Sequence, residues 1–131
     1  MRNCFSIVFL FFLGLIPLKA DENDKVALLC NWHPVVTLPD RMKVFGLIFN
    51  DGRLEMLGLD ADGEVRGSGL GVYIEDDAYW SWEGAPLFGR NALDRKTLSS
   101  AEGDVICEHS QSPNSLRSRL KVLGEKFRNK D

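Results

Sequence analysis

Met42-Lys43-Val44-Phe45-Gly46-Leu47-Ile48-Phe49 and Arg53-Leu54-Glu55-Met56-Leu57-Gly58-Leu59, joined by Asn50-Asp51-Gly52, decide the fold of this chain. Two apolar runs of strand length with Asp-Gly between them predict a tight β-hairpin, because those two residues tolerate the positive φ angles of a short turn. Outward from the hairpin the same pattern recurs. Upstream, Val26-Ala27-Leu28-Leu29-Cys30 predicts a first strand, turned by Asn31-Trp32-His33-Pro34, and residues 35–38, held between Pro34 and Pro39, predict a short edge segment. Downstream, Asp60-Ala61-Asp62-Gly63 marks a turn into the partly alternating residues 64–68. Residues 70–74 and 78–82 flank Glu75-Asp76-Asp77 as a further hairpin, and residues 92–98 and 105–107 read as closing strands. The fold class expected is mainly β, a small antiparallel barrel or strongly twisted meander sheet.

Two details refine that expectation. In Tyr79-Trp80-Ser81-Trp82 the period of two puts both tryptophans on one face, where core packing is the ordinary reading. Gly67-Ser68-Gly69-Leu70-Gly71 leads into Val72-Tyr73-Ile74 rather than a helix, so it reads as a bend or glycine-relieved strand and not as a dinucleotide-binding loop. Helix enters only at the end. Ser112-Pro113 reads as a cap with proline in the first turn, and Leu116, Leu120, Leu123 and Phe127 recur at helical spacing over residues 112–130. Packing across an open face or barrel end is the use expected for this helix, with Gly124 inviting fraying in its middle.

Residues 1–20 read as an export signal: Arg2 supplies the positive start, residues 5–16 are apolar apart from Ser6 and Gly14, and Ala20 precedes the acidic run Asp21-Glu22-Asn23-Asp24. The apolar stretch is shorter than the ~20 residues a membrane-spanning helix needs, so no stable transmembrane anchor is expected. The remaining residues 21–131 suit one domain, destined for the periplasm or for secretion. Cys4 leaves with the signal, and the surviving pair, Cys30 and Cys107, reads as a disulfide that fastens the first strand to the last. Two buried thiols are the competing reading.

Charge is unevenly placed. Residues 21–108 carry 17 acidic and 8 basic side chains, whereas residues 109–131 carry 2 and 6. Such an acidic body argues against nucleic-acid binding and suits a basic protein partner, unless the basic tail folds back upon it. No catalytic signature stands out, and neither enzyme activity nor a cofactor is expected. Glu83 and Asp94 have no spacing that fixes an acid/base pair, and Ser68, Ser81, Ser99 and Ser100 lack an activating base. Asp60-Ala61-Asp62-Gly63-Glu64 has the oxygen density of a calcium loop without its glycine and distal glutamate, which leaves turn chemistry. His33 and His109 would share one end of the fold if the cysteines are bridged, but two histidines make at most a sparse metal site. No metal is expected.

Cys30, the hairpin of residues 42–59, Ser68-Gly69 shortly before Tyr73, the aromatic strand leading to Glu83-Gly84, and Cys107 together resemble the periplasmic or membrane-bound inhibitors of c-type lysozyme. The resemblance covers about residues 28–108. It implies a small antiparallel barrel, a disulfide near its termini, and a Ser-Gly-x-x-Tyr loop that enters the lysozyme cleft. The matching positions are Ser68, Gly69 and Tyr73, with one more residue between Gly69 and Tyr73 than the family pattern has. Glu83 precedes Gly84 where the family carries lysine, and it completes the candidate partner-binding set. The function expected is therefore an exported, non-catalytic binding or inhibitory module, possible target a c-type lysozyme. A structural cell-envelope or assembly component is the alternative.

Overall fold

The computed structural model describes residues 25–34, 36–84 and 90–130, so the segment expected to be an export signal and the Leu87-Phe88 section lie outside the described residues. Seven strands run in chain order: β1 (Val26–Trp32), β2 (Val44–Asn50), β3 (Arg53–Leu59), β4 (Val65–Glu75), β5 (Tyr79–Trp82), β6 (Ala92–Asp94) and β7 (Val105–Ser110), followed by helix α1 (Pro113–Lys130). All pairings are antiparallel, in the spatial order β6-β5-β4-β3-β2-β1-β7. The sheet curls into a half-barrel. Its two ends approach each other through the bridges Leu93 to Ser100 and Ser99 to Ile106.

The β2–β3 hairpin forms as its turn residues require, with Asp51 at φ 53° and Gly52 at φ 79°. Register then follows from which faces are buried. Inside the curl, Leu28, Phe45, Leu47, Phe49, Leu54, Trp80, Trp82 and Leu93 form one core. Phe49 is its centre: Trp80 stacks on it at 4.7 Å between centroids, and Tyr73 meets it edge-on at 5.0 Å. Cys30 and Cys107 stand opposite each other in the β1–β7 pair and are joined by the disulfide, both buried within this core.

A second core lies on the outer face. Ala27, Leu29, Val44, Ile48, Leu57 and Leu59 pack against Leu116 and Leu120 of α1, with Leu123 and Phe127 partly buried beside them. Gly46 makes room for the contact, since a Cβ there would sit 2.8 Å from Leu116 Cδ2. The Ser112 hydroxyl caps the helix by accepting the Ser115 N–H at 3.1 Å. Thus the helix closes no barrel end; it covers the outer face of β1, β2 and β3 and the start of β4 at Val65. Three of its arginines reach back to the body: Arg119 pairs with Glu108 at 2.7 Å, Arg117 with Glu55 at 3.3 Å and Arg128 with Glu64 at 3.8 Å.

Several sequence expectations need correction. Among the described residues 36–38 no strand forms, and a 3-10 turn, Asp40–Met42, leads into β2 instead, because the flanking prolines withhold ladder donors. The closing segment 92–98 is a strand only over Ala92–Asp94. There the Asp94 carboxylate accepts the N–H groups of Lys96 and Thr97 at 2.8 and 2.9 Å and turns the chain. His33 and His109 lie at opposite ends of the β1–β7 pair: Leu28 faces His109, whereas the His33 N–H reaches the Asp104 carbonyl. In an antiparallel ladder, residues that follow two bridged cysteines run apart.

Candidate functional site

β4 and β5 carry the residues singled out by the sequence, and glycine sets their arrangement. β4 pairs with β3 along residues 65–72, except that Leu54 faces Gly71 and Glu55 faces Gly69, which leaves Leu70 as an extra residue in a bulge. Gly71 takes φ 98°, a value that disfavours any side chain. The bulge re-aims the strand, and residues 73–75 pair with β5 on the other side.

The consequence is a division of side chains. Tyr73 turns inward against Phe49, while its N–H donates to the Gly52 carbonyl at 2.9 Å. Val72 and Ile74 turn outward and are 66% and 68% exposed. Beside them lies an open groove of about 620 Å³ lined by Leu70, Gly71, Val72, Ile74, Ser81, Trp82 and Glu83. A neighbouring groove of about 400 Å³ includes Asp51, Arg53, Glu55, Gly69 and Gly71.

Acidic residues near the β4–β5 turn have separate tasks. Asp76 Oδ1 accepts the N–H groups of Tyr79 and Ala78 at 2.7 and 2.8 Å, and these bonds hold its carboxyl below the usual carboxylate range. Glu75 accepts the Trp80 indole N–H at 3.0 Å and pairs with Arg95 at 3.3 Å; the Arg95 guanidinium lies over the Trp80 ring. Asp77 and Glu83 are exposed and make no ion pair among the described residues.

Ser68 and Gly69 are exposed within strand β4, Tyr73 is half-buried, and Glu83 is exposed just past β5. The groove unites Glu83 with the Leu70-Gly71-Val72 segment. It does not unite Ser68 with Tyr73, which are five residues apart along the strand, about 16 Å at ~3.3 Å per residue. Val72 and Ile74 were not among the residues the sequence singled out. Alternation alone could not assign them a face, because the bulge at Leu70 shifts the phase of the strand.

The remaining carboxylate clusters do structural work. Asp60 Oδ1 accepts the N–H groups of Asp62 and Glu64, and Oδ2 binds Arg66 at 2.8 Å; the arginine bond first, then the backbone bonds, lower its pKa. Ser100 Oγ accepts the Val105 N–H, and Ser99 Oγ bonds Thr97 Oγ1. Among the described residues no three His, Cys, Asp or Glu side chains gather to hold a metal ion, and no helix is long and apolar enough to cross a membrane. Comparison with family models, curated proteins and solved structures returns no match. The chain is a small, disulfide-linked β-sheet domain with one outer-face helix.

Proposed function

We propose that this chain is an exported, non-catalytic module that binds a basic protein through the outer face of β4 and β5. One observation carries the reading: Val72 and Ile74 form an apolar strip, largely exposed, at the point where the outer face passes beyond the helix. An exposed apolar strip rimmed by polar residues and set beside a groove is the kind of surface a protein partner can desolvate. The acidic body, with Asp77 and Glu83 near the strip, supplies the complementary potential that would speed encounter with a cationic partner.

In its specific form the partner is a c-type lysozyme; this rests on the sequence resemblance over about residues 28–108, of whose matching positions Ser68 and Gly69 are exposed on a strand and Tyr73 is turned inward against Phe49. The assembly-component alternative would gain from exposed tryptophan surface, and Trp80 and Trp82 are buried. The test is capture of immobilised c-type lysozyme, and of a second basic protein such as cytochrome c, by the oxidised chain, together with a cell-wall lysis assay. Lysozyme capture that slows lysis, weakened roughly tenfold or more in the pair Val72→Asp and Ile74→Asp, is the expected result. Capture without inhibition removes lysozyme inhibition alone. Absence of capture of either protein removes the binding reading.

A further inference from the structure

β4 is paired on only one side along most of its length. From residue 65 to residue 72 its neighbour is β3, and β5 joins the other side only at residues 73–75. Among the described residues no strand pairs with the remaining edge, so extended backbone there presents outward donors and acceptors in alternation. Sheet edges are commonly shielded by charge, proline or bulges. Here Arg66 is tied to Asp60, and the bulge comes at Leu70, so residues 65–69 form a regular segment before it.

Glycine leaves that segment bare. A Cβ at Gly67 would meet Glu55 Oε2 at 2.7 Å, which places this carboxylate directly over the strand, and a Cβ at Gly69 would meet nothing within 4 Å. Glu55 Oε1 takes Arg117 at 3.3 Å, so the other oxygen is the one turned toward the glycine track. Around the edge Arg66, Arg117 and Arg128 are each held by a carboxylate. In the two grooves that reach Gly69 and Gly71, Asp51 and Glu83 then stand against Arg53 as the charged groups outside ion pairs among the described residues.

We propose that the edge of β4 over residues 65–70 accepts an extended segment of a basic protein as an added strand, with a lysine or arginine laid across Gly67 and Gly69 toward Glu55. The proposal rests on the binding-module reading and names how the partner is held. Main-chain hydrogen bonds supply the grip in this mode, and side-chain seats supply selectivity. A second copy of the chain is disfavoured as the occupant, because two such edges would oppose their own carboxylates.

The probe is a peptide of about ten residues alternating lysine and threonine, a length that covers a typical strand. It is added to the oxidised chain while amide hydrogen exchange is followed residue by residue. Protection of amides within residues 65–70, lost when alternate peptide bonds of the probe are N-methylated, is the expected result. Glu55→Gln weakens binding about threefold, the scale of an exposed charge pair. Gly69→Val, which the open space accommodates, weakens it roughly tenfold by filling the track while leaving the melting temperature unchanged or raised. Equal protection by the N-methylated probe, or no protection in this segment, overturns strand addition. Dimerisation that protects the same amides without the probe overturns it in favour of a second copy. If the probe fails while basic proteins are still captured through Val72 and Ile74, only strand addition falls; if capture is lost as well, the binding-module reading falls with it.

Discussion

Gly63 and Gly124 meet backbone to backbone, the turn after β3 against the middle of α1. A Cβ on Gly63 would lie 2.5 Å from the Gly124 carbonyl oxygen, and a Cβ on Gly124 would overlap the Gly63 carbonyl oxygen. Gly124 is buried, so the glycine that suggested fraying is the one that lets the helix sit down.

Replacing Gly124 with alanine therefore has two opposed effects. Alanine gains about 1 kcal/mol over glycine in a helix interior. The clash is with backbone on an element tied by Asp60, so relief must come from lifting the helix, an overpacking cost of about 1–3 kcal/mol. A net loss of stability is expected for Gly124→Ala in urea denaturation, against no loss for Gly69→Ala, where space is open. A more stable Gly124→Ala would show that the contact does not seat the helix.

Cutting the Cys30–Cys107 bond releases a loop with a sequence separation of 77. In the chain-entropy account such a closure is worth about 4–5 kcal/mol, and native bridges of small domains commonly contribute about 2–5 kcal/mol. The double variant Cys30→Ala and Cys107→Ala should melt well below the oxidised protein, with the midpoint in urea shifted accordingly. Both thiols face the inner core, so part of the loss is packing; comparing the reduced wild-type chain with the double variant separates the two terms.

Where the sequence was legible, alternation and turn chemistry agreed. Arg53–Leu59 emerged with its own boundaries, because Asp51-Gly52 fixes one end and Asp60 the other. The seat of the helix was also written there in a less obvious form: Ala27 to Cys30 and Val44 to Phe49 are buried without a break, as strands covered on both faces are. β4 was harder. Three glycines erase its hydrophobic alternation and Leu70 shifts its phase, so one strand of eleven residues read as two pieces. The candidate surface suffered for the same reason. Ser68 and Gly69 were marked by a motif, whereas Val72 and Ile74 depend on a phase that only the bulge sets.

Three carboxylates give the fold a defined acid limb. Asp60 is lowered by Arg66 and by turn N–H groups, and Asp76 and Asp94 are lowered chiefly by backbone N–H donors. Each bond favours the ionised form, so its contribution is complete above the unfolded carboxylate value of about 3.9 and is lost as pH falls through the lower folded values. Changing all three to asparagine keeps an acceptor oxygen for each turn and removes the titration. The drop in melting temperature between about pH 5 and pH 2 should be smaller in that triple variant than in the wild type. Equal drops would mean these bonds do not distinguish the two protonation states.

Binding by an acidic body should separate encounter from retention. Long-range attraction acts before contact and is screened by salt, so the association rate with a basic partner should fall roughly tenfold as ionic strength rises from about 20 to 300 mM. The apolar strip acts after contact. Val72→Asp with Ile74→Asp adds negative charge, which favours encounter, while destroying the desolvated seat, which favours escape. Stopped-flow measurements should then show an association rate preserved or raised together with a dissociation rate increased by roughly tenfold or more. An unchanged dissociation rate in that double variant would place the contact elsewhere on the body.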